Sequence, residues 1–193
     1  MAKKPKQPKT LPDTSGVLNY GWSKGWLVDT PSRRVCVTCS HSNPRPGIVV
    51  GFPNGDKRTV LGVFPVIADM APGQAGCDVS IITLTEPAPI TAAAYQIAAP
   101  KNGSKIWILT QRGDFVTATL AFDRSSACGV AEKKSEDIIA GDSGLPWFDS
   151  SGNVLTHNYR SARYNETFGP LYGHKNLIAA FKETVEKAES SLQ

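Results

Sequence analysis

The stretch GDSGLPWF, residues 141–148, places a turn of small residues directly before an apolar run. Turns of the Asp-Ser-Gly kind commonly lead into strands, so the pattern indicates a tight turn followed by a strand. The small residues also let backbone N–H groups point at one spot while the Ser143 side chain projects outward. A serine hydroxyl is a poor nucleophile until a base accepts its proton, so a functional interpretation depends on the rest of the chain.

Around this stretch, short β-rich runs alternate with turn clusters rich in Gly, Pro, Asn and Asp. The runs are Val35–Thr38, Gly47–Val50, Thr59–Phe64, Val79–Leu84, Lys105–Thr110, Phe115–Phe122 and Asn153–Asn158. Several short strands at regular spacing are typical of an antiparallel sandwich or barrel. The sequence therefore predicts an all-β body.

The chain divides into segments of different composition. The Pro- and Ala-rich stretch Thr85–Gly103 interrupts the strand series near its middle, where a linker between two β lobes would lie. Near the C-terminus, apolar residues recur at a helical period among Lys and Glu. The predicted organisation is a flexible basic arm (1–15), an N-terminal barrel (16–86), a linker (87–103), a C-terminal barrel (104–172) and an amphipathic helix with its tail (173–193).

Composition excludes some classes of protein. With 193 residues, 40% of them hydrophobic and 20% charged, the chain resembles an ordinary globular protein, not a disordered or fibrous one. No apolar run approaches the roughly 20 residues of a membrane helix, and no signal peptide is recognisable. We therefore expect no membrane span, and we expect the four cysteines to be reduced thiols.

A lysine-rich arm contributes much of the net charge of +4. Its cations are Lys3, Lys4, Lys6 and Lys9. Such an arm could make a weak contact with RNA, although a solvated tail is the simpler interpretation.

Nucleophilic catalysis by Ser143 would need a base and a carboxylate. His41 follows the apolar strand Val35–Thr38, so it lies where a strand ends and can face a cleft. Asp78 opens the apolar run Val79–Leu84, where a buried acid requires a partner. Asp56 and Asp69 are rival acids in or beside turn-rich stretches.

Three motifs carry a resemblance to a known family. They are Thr38-Cys39-Ser40-His41, Asp78-Val79-Ser80-Ile81 and Gly141-Asp142-Ser143-Gly144-Leu145-Pro146. They resemble the motifs of chymotrypsin-like serine proteases, in that family's order of His, Asp and Ser. The resemblance implies two six-stranded antiparallel β-barrels, followed here by the C-terminal helix, with the active site between the barrels.

Within that family, the chain looks like the compact main proteases of positive-strand RNA viruses, such as the arterivirus enzyme. Ser42 stands where secreted members carry a disulfide cysteine, and there is no Ile-Val-Gly-Gly start. The resemblance implies cleavage of a viral polyprotein, in cis and then in trans, in the host cell cytoplasm. Cys39 departs from the small Ala usual at that position. The partner of Asp142 is left open.

The resemblance also implies residue roles. Ser143 attacks the peptide carbonyl, His41 shuttles the proton, Asp78 holds His41, and the N–H groups of Gly141 and Ser143 bind the oxyanion. No metal or organic cofactor is implied. The Cys36-x-x-Cys39 pair is more simply two unrelated core thiols than a zinc or redox pair.

The predicted specificity is cleavage after Gln or Glu, with His157 as a wall of the pocket for that side chain. A neutral imidazole can donate a hydrogen bond to the side-chain carbonyl of Gln. The rival is Asp137, whose offset from Ser143 matches the acid that selects Lys or Arg in trypsin-like enzymes. Ile138 replaces the threonine often found in the viral branch, which weakens the interpretation of His157.

Two alternatives of other classes stay open. One is a self-cleaving, RNA-binding structural protein resembling the alphavirus capsid, with the lysine-rich arm as the RNA contact. The other is a catalytically inactive scaffold.

Overall fold

The computed structural model describes residues 10–21, 23–68, 78–123, 128–132, 143–161 and 166–193. Several residues that the sequence analysis singles out lie outside these ranges. They are Lys3, Lys4, Lys6, Lys9, Asp69, Asp137, Ile138, Gly141 and Asp142.

The N-terminal half forms a closed six-stranded antiparallel barrel in the order β1-β2-β3-β6-β5-β4. The strands are β1 (Val17–Tyr20), β2 (Ser23–Leu27), β3 (Val35–Thr38), β4 (Val49–Gly51), β5 (Lys57–Pro65) and β6 (Ser80–Leu84). This confirms the all-β prediction and one of the two predicted barrels.

Strands β3 and β6 are the most deeply buried part of the barrel, because every residue of both strands is buried. Their side chains alternate between two cores, as a period of two requires. Val35, Val37 and Ile81 pack in one apolar cluster, whereas Cys36 and Ile82 pack in the other. This explains why both strands are continuous apolar runs in the sequence.

The C-terminal half forms a seven-stranded sheet in the order β11-β10-β7-β8-β9-β13-β12. Its strands are β7 (Lys105–Leu109), β8 (Phe115–Asp123), β9 (Cys128–Glu132), β10 (Pro146–Phe148), β11 (Val154–His157), β12 (Arg160–Ser161) and β13 (Glu166–Pro170). Within the described residues this sheet is not closed, so the predicted second six-stranded barrel is not confirmed. Three of the gaps in the description, at 124–127, 133–142 and 162–165, interrupt this half of the chain.

The segment between the two halves pairs with both of them. Tyr95 forms a parallel bridge with Val28 of the first half, and Ile97 forms one with Val154 of the second half. The predicted linker is thus a packed connection, while its predicted boundaries stay untested.

The predicted C-terminal helix is confirmed as α1 (Ile178–Ser190). Its apolar face, with Phe181 and Ala188, packs against strands of the N-terminal barrel. Among the described residues, no helix is long and apolar enough to span a membrane.

Candidate active site

His41 lies in a short 3₁₀ turn, Ser40–Ser42, directly after β3. Asn43 ends the turn with a left-handed backbone, φ 54°, a conformation that asparagine adopts more readily than most residues. The imidazole is 42% exposed. The end of β3 therefore delivers the ring from a buried strand to the surface, as the sequence predicts.

The antiparallel register of β3 and β6 brings Asp78 to the same place. Thr38 pairs with Ser80, so continuing the register by two residues puts Ser40 opposite Asp78. The contacts agree, because the Ser40 N–H donates to the Asp78 carbonyl at 3.3 Å. Asp78 is therefore fixed beside His41 by strand pairing.

The carboxylate of Asp78 holds His41 at two points. Its Oδ1 accepts the backbone N–H of His41 at 2.7 Å, and its Oδ2 lies 2.8 Å from the ring Nδ1. A carboxylate can only accept here, so Nδ1 carries a proton, and in the neutral ring Nε2 keeps the lone pair. This is the tautomer that a general base requires.

His41 and Asp78 each stabilise the charged form of the other. The contacts with Asp78 and Cys39 raise the pKa of His41 above its ordinary value, because both partners favour the protonated ring. Burial would raise the pKa of Asp78, but its interactions with His157 and His41 outweigh that effect and bring the pKa to about 2. Asp78 is therefore ionised at neutral pH.

Ser143 is tied to both halves of the molecule through its turn. The Lys24 N–H of β2 donates to the Ser143 carbonyl at 3.0 Å. On the other side, the Gly144 N–H donates to the Asn158 carbonyl at 3.0 Å, just after β11. The turn that carries Ser143 thus lies at the junction of the barrel and the sheet.

A chain of side chains leads from this turn to His41. Ser23 Oγ lies 3.4 Å from the Ser143 carbonyl oxygen and 3.2 Å from Cys39 Sγ. Cys39 Sγ in turn lies 3.9 Å from His41 Nε2. Among the described contacts, no direct hydrogen bond joins the Ser143 hydroxyl to His41, and such bonds are often loose before substrate binds.

His157 is fully buried, and its ring faces the rear of the site. Its Nδ1 is hydrogen-bonded to the Tyr172 hydroxyl, and that hydroxyl also lies 3.4 Å from Trp26 Nε1. The indole can only donate, so the hydroxyl accepts from it and is also paired with Nδ1, while the ring places Nε2 on the side of Asp78. This Nε2 has no hydrogen-bond partner among the described atoms and lies 3.7 Å from Asp78 Oδ2, too far for a hydrogen bond.

The rival acid Asp56 and the third histidine of the chain, His174, both lie away from the site. Asp56 is exposed in the turn between β4 and β5, 3.9 Å from Arg58, so it does not serve His41. His174 is buried before α1, where its Nδ1 accepts the Asn176 N–H. The other rival acid, Asp69, and the oxyanion residue Gly141 lie outside the described residues.

Sequence reasoning missed the contribution of Tyr172 and noted Cys39 only as a departure from the motif. Tyr172 meets His157 through packing between strand β11 and the start of the C-terminal segment, which no local pattern signals. Cys39 is recognisable only once His41 is placed, since the two residues are neighbours across the strand's end.

The candidate site does not coincide with a cavity that the described residues form near the N-terminal segment. A cavity of about 520 Å³ lies between the segment 10–13, the connection around Tyr95 and the turn 149–153, and it includes none of His41, Asp78 and Ser143. The candidate site is therefore defined by the contacts of its side chains and not by this cavity.

The sequence matches no protein-family model, and no curated protein matches it in sequence. Solved structures do match. A mutant of human heparin-binding protein superimposes with a TM-score of 0.72 at 14% identity, covering 93% of this chain and 95% of that one. Kallikrein-related peptidase 10 in complex with Zn²⁺ gives 0.70 at 12% identity, with 94% and 98% covered.

A Glu endopeptidase gives a TM-score of 0.67 at 14% identity, covering 97% of this chain and 96% of that one. Likeness at such low identity concerns the path of the backbone and the arrangement of the strands. This chain therefore has the fold of the chymotrypsin-like serine proteases.

Proposed function

We propose that this chain is a serine endopeptidase with Ser143 as nucleophile, His41 as general base and Asp78 as the carboxylate that orients the base. The decisive observation is the double contact of Asp78 with His41, on its backbone N–H and on its ring Nδ1. It lies beside a serine turn that is hydrogen-bonded to the barrel through Lys24.

In the proposed mechanism, His41 Nε2 accepts the Ser143 proton while the oxygen attacks a peptide carbonyl. Asp78 stays ionised and stabilises the imidazolium that forms. The N–H groups of Ser143 and Gly141 bind the oxyanion. His41 then gives its proton to the leaving amine, and water releases the acyl group from Ser143 by the reverse proton transfers.

Kinetics of site variants test this proposal. Ser143→Ala and His41→Ala should each lower kcat/KM by at least roughly 10³-fold, and the double variant should be little worse than either single one. Asp78→Asn should lose a comparable factor because the amide cannot accept from both His41 donors. Asp56→Asn, the rival acid far from His41, is the control and should keep normal activity.

Reaction with a fluorophosphonate serine probe separates an inactive scaffold from a slow enzyme. Wild type should be labelled at Ser143 and Ser143→Ala should not be labelled. A folded wild type that neither reacts with the probe nor cleaves a peptide library would refute the proposed activity.

For specificity, we propose cleavage after Gln or Glu with His157 as the recognising group. The Tyr172 hydroxyl is hydrogen-bonded to Nδ1 of His157, and Nε2 has no hydrogen-bond partner among the described atoms. A buried N–H without a partner is unfavourable, and a substrate carbonyl would satisfy it. One of the solved structures with the same fold is named a Glu endopeptidase.

His157 has no exposed surface, and the segment 133–142 lies outside the described residues. The rival Asp137 belongs to that segment. Paired peptides ending the acyl side in Leu-Gln or Leu-Arg distinguish the two residues. A preference for Leu-Gln that His157→Ala loses supports the proposal, whereas a preference for Leu-Arg that Asp137→Ala loses contradicts it.

The proposed setting is processing of a viral polyprotein in the host cytoplasm, in cis and in trans. The alternative is an RNA-binding structural protein that cleaves itself once. Multiple turnover on an added peptide, without salt-dependent RNA binding, favours the first. A single cleavage followed by salt-dependent RNA binding that is lost when Lys3, Lys4, Lys6 and Lys9 are replaced favours the second.

A further inference from the structure

A buried thiol lies near the Nε2 edge of the catalytic histidine, and the proposed mechanism does not use it. Cys39 has no exposed surface. Its Sγ lies 3.9 Å from His41 Nε2, the nitrogen that must accept the serine proton. Ser23 Oγ and Ser42 Oγ lie 3.2 and 3.3 Å from the sulfur.

The surroundings of Cys39 differ from those of Cys36, the other thiol whose surroundings are described. Burial would raise the pKa of the Cys39 thiol, but hydrogen bonds with His41, Ser23 and Ser42 outweigh it and lower the pKa. Cys36, three residues earlier, is buried in the barrel core, where burial raises its pKa strongly. Of these two thiols, Cys39 is the one that lies near an imidazole nitrogen, and its deprotonated form could ligate a metal ion.

The separation of the two donor atoms suits a zinc ion. Zinc binds thiolate sulfur at about 2.3 Å and imidazole nitrogen at about 2.0 to 2.1 Å. Donors 3.9 Å apart then correspond to an S–Zn–N angle of roughly 125°, and closing the gap by a few tenths of an ångström gives a tetrahedral angle.

The Nδ1 edge of the His41 imidazole is also hydrogen-bonded as in metal sites. A histidine that ligates a metal through one nitrogen usually donates its other N–H to a carboxylate, which fixes the ring and makes it a stronger ligand. Asp78 takes this role on His41 Nδ1 at 2.8 Å. Donor atoms of Cys39, His41 and Asp78 all lie within 4.8 Å of one another.

We propose that Zn²⁺ binds between Cys39 Sγ and His41 Nε2 and reversibly inhibits the enzyme. Asp78 orients the histidine from behind, and water or the Ser143 hydroxyl completes the coordination. Binding releases the thiol proton to solvent and occupies the lone pair that His41 needs as a base. The ion is an inhibitor here, in contrast to a resident cofactor, and Cys36 is not a ligand. The inhibitory consequence rests on the proposed function, whereas the binding site does not.

Cobalt binding by the full chain tests the site without reference to activity. Co²⁺ titrated in a thiol-free reductant should give a near-ultraviolet absorption band from thiolate to cobalt, and Zn²⁺ should abolish the band. Cys39→Ala and the more conservative Cys39→Ser should lose it. Cys36→Ala, the matched thiol control, and Ser143→Ala should keep it. Asp78→Asn should weaken binding by about tenfold or more, as for other groups that support a metal-bound histidine.

Inhibition is then measured as the ratio of activity with and without Zn²⁺ for each variant. Wild type and Cys36→Ala should be inhibited and should recover with a chelator, whereas Cys39→Ala should show a ratio near one. A cobalt band that survives in both folded Cys39 variants, or no band in wild type, would overturn the site. An intact band in a protein without peptidase activity would overturn the proposed function alone.

Discussion

At the scale of single residues, Gly144 illustrates how a close approach between the two halves restricts the sequence. Its φ is +85°, and a Cβ there would lie 2.0 Å from the Lys24 carbonyl oxygen. The neighbouring hydrogen bond from Lys24 N to the Ser143 carbonyl requires this close approach. Only glycine satisfies both the backbone conformation and the contact.

We predict that Gly144→Ala is far more harmful than Gly152→Ala. Gly152 has nearly the same φ, +81°, but no atom lies within 4 Å of the place that a Cβ would occupy there. The control, Gly152→Ala, should therefore lower the free energy of unfolding by only about 1 kcal/mol, the strain of an alanine with a left-handed backbone conformation. Gly144→Ala should cost more, since the backbone of Lys24 must move. Urea unfolding and peptidase assays measure both effects, and equal losses would contradict the role of Lys24.

The sequence reveals part of this arrangement. Small residues around Ser143 predict a tight turn, and His41 and Asp78 can be chosen because each lies at the end of an apolar run. The partner of Gly144 is about 120 residues earlier in the chain, and only the assembled fold brings it near. For the same reason, neither Tyr172 behind His157 nor the Ser23 contact with Cys39 could be predicted.

At the scale of elements, α1 stabilises the barrel end of the molecule. Phe181 is 2% exposed, and its ring lies 4.9 Å from that of Tyr172 and 6.5 Å from that of Trp26, measured between centroids. At the other end of the helix, the Glu189 carboxylate accepts from the backbone N–H and the hydroxyl of Ser32. The helical period predicts the buried face, but not which lobe it covers.

We predict that Phe181→Ala lowers the free energy of unfolding by about 3 to 5 kcal/mol, because it leaves a cavity against two aromatic rings. Lys182 is exposed on the same helix, so Lys182→Ala should change stability by less than about 0.5 kcal/mol. Chemical denaturation of the two variants provides the comparison. A small loss for Phe181→Ala would show that the helix is not part of the cooperative unit.

At the scale of the whole molecule, Tyr95 contacts both halves and links them. Its hydroxyl donates to the Asp13 carbonyl at 2.6 Å and accepts the Gly16 N–H at 3.2 Å. Its ring packs against Trp26 and Phe148, which belong to different halves. Burial raises the pKa of Tyr95 and that of the fully buried Tyr172 above the usual range.

We predict alkaline unfolding from these two residues. Because the folded state favours the protonated phenols, their contribution to stability is complete below the ordinary tyrosine pKa of about 10 and is lost as the pH rises above it. Tyrosinate absorbance of both residues should appear together with the loss of ellipticity. Tyr95→Phe should make stability fall less steeply with pH above about 10. Free ionisation of Tyr95 before unfolding would contradict its burial.

At this scale, the sequence predicts four of the six barrel strands and the terminal helix well, since Val35–Thr38 and its neighbours have clear apolar patterns bounded by turns. It does not predict β1 and β2, whose short runs are broken by Gly and Asn. It also cannot tell a six-stranded barrel from the seven-stranded sheet found in the described residues, because closure depends on strand pairing, not on composition.

The segment around residues 95–98, which connects the two halves, is hydrogen-bonded in a way that should protect it from self-digestion. Gln96, in the middle of this connection, has an exposed side chain and would suit the proposed preference. Proteases generally bind a substrate as an extended strand, through backbone groups that must be free. Here the Gln96 carbonyl already accepts the Val154 N–H at 2.9 Å, and the Ala98 N–H is donated to the Val154 carbonyl. The peptide bond after Gln96 therefore lies near an exposed side chain, but its backbone is already paired. It cannot bind as an extended strand in the cleft of another copy of the enzyme.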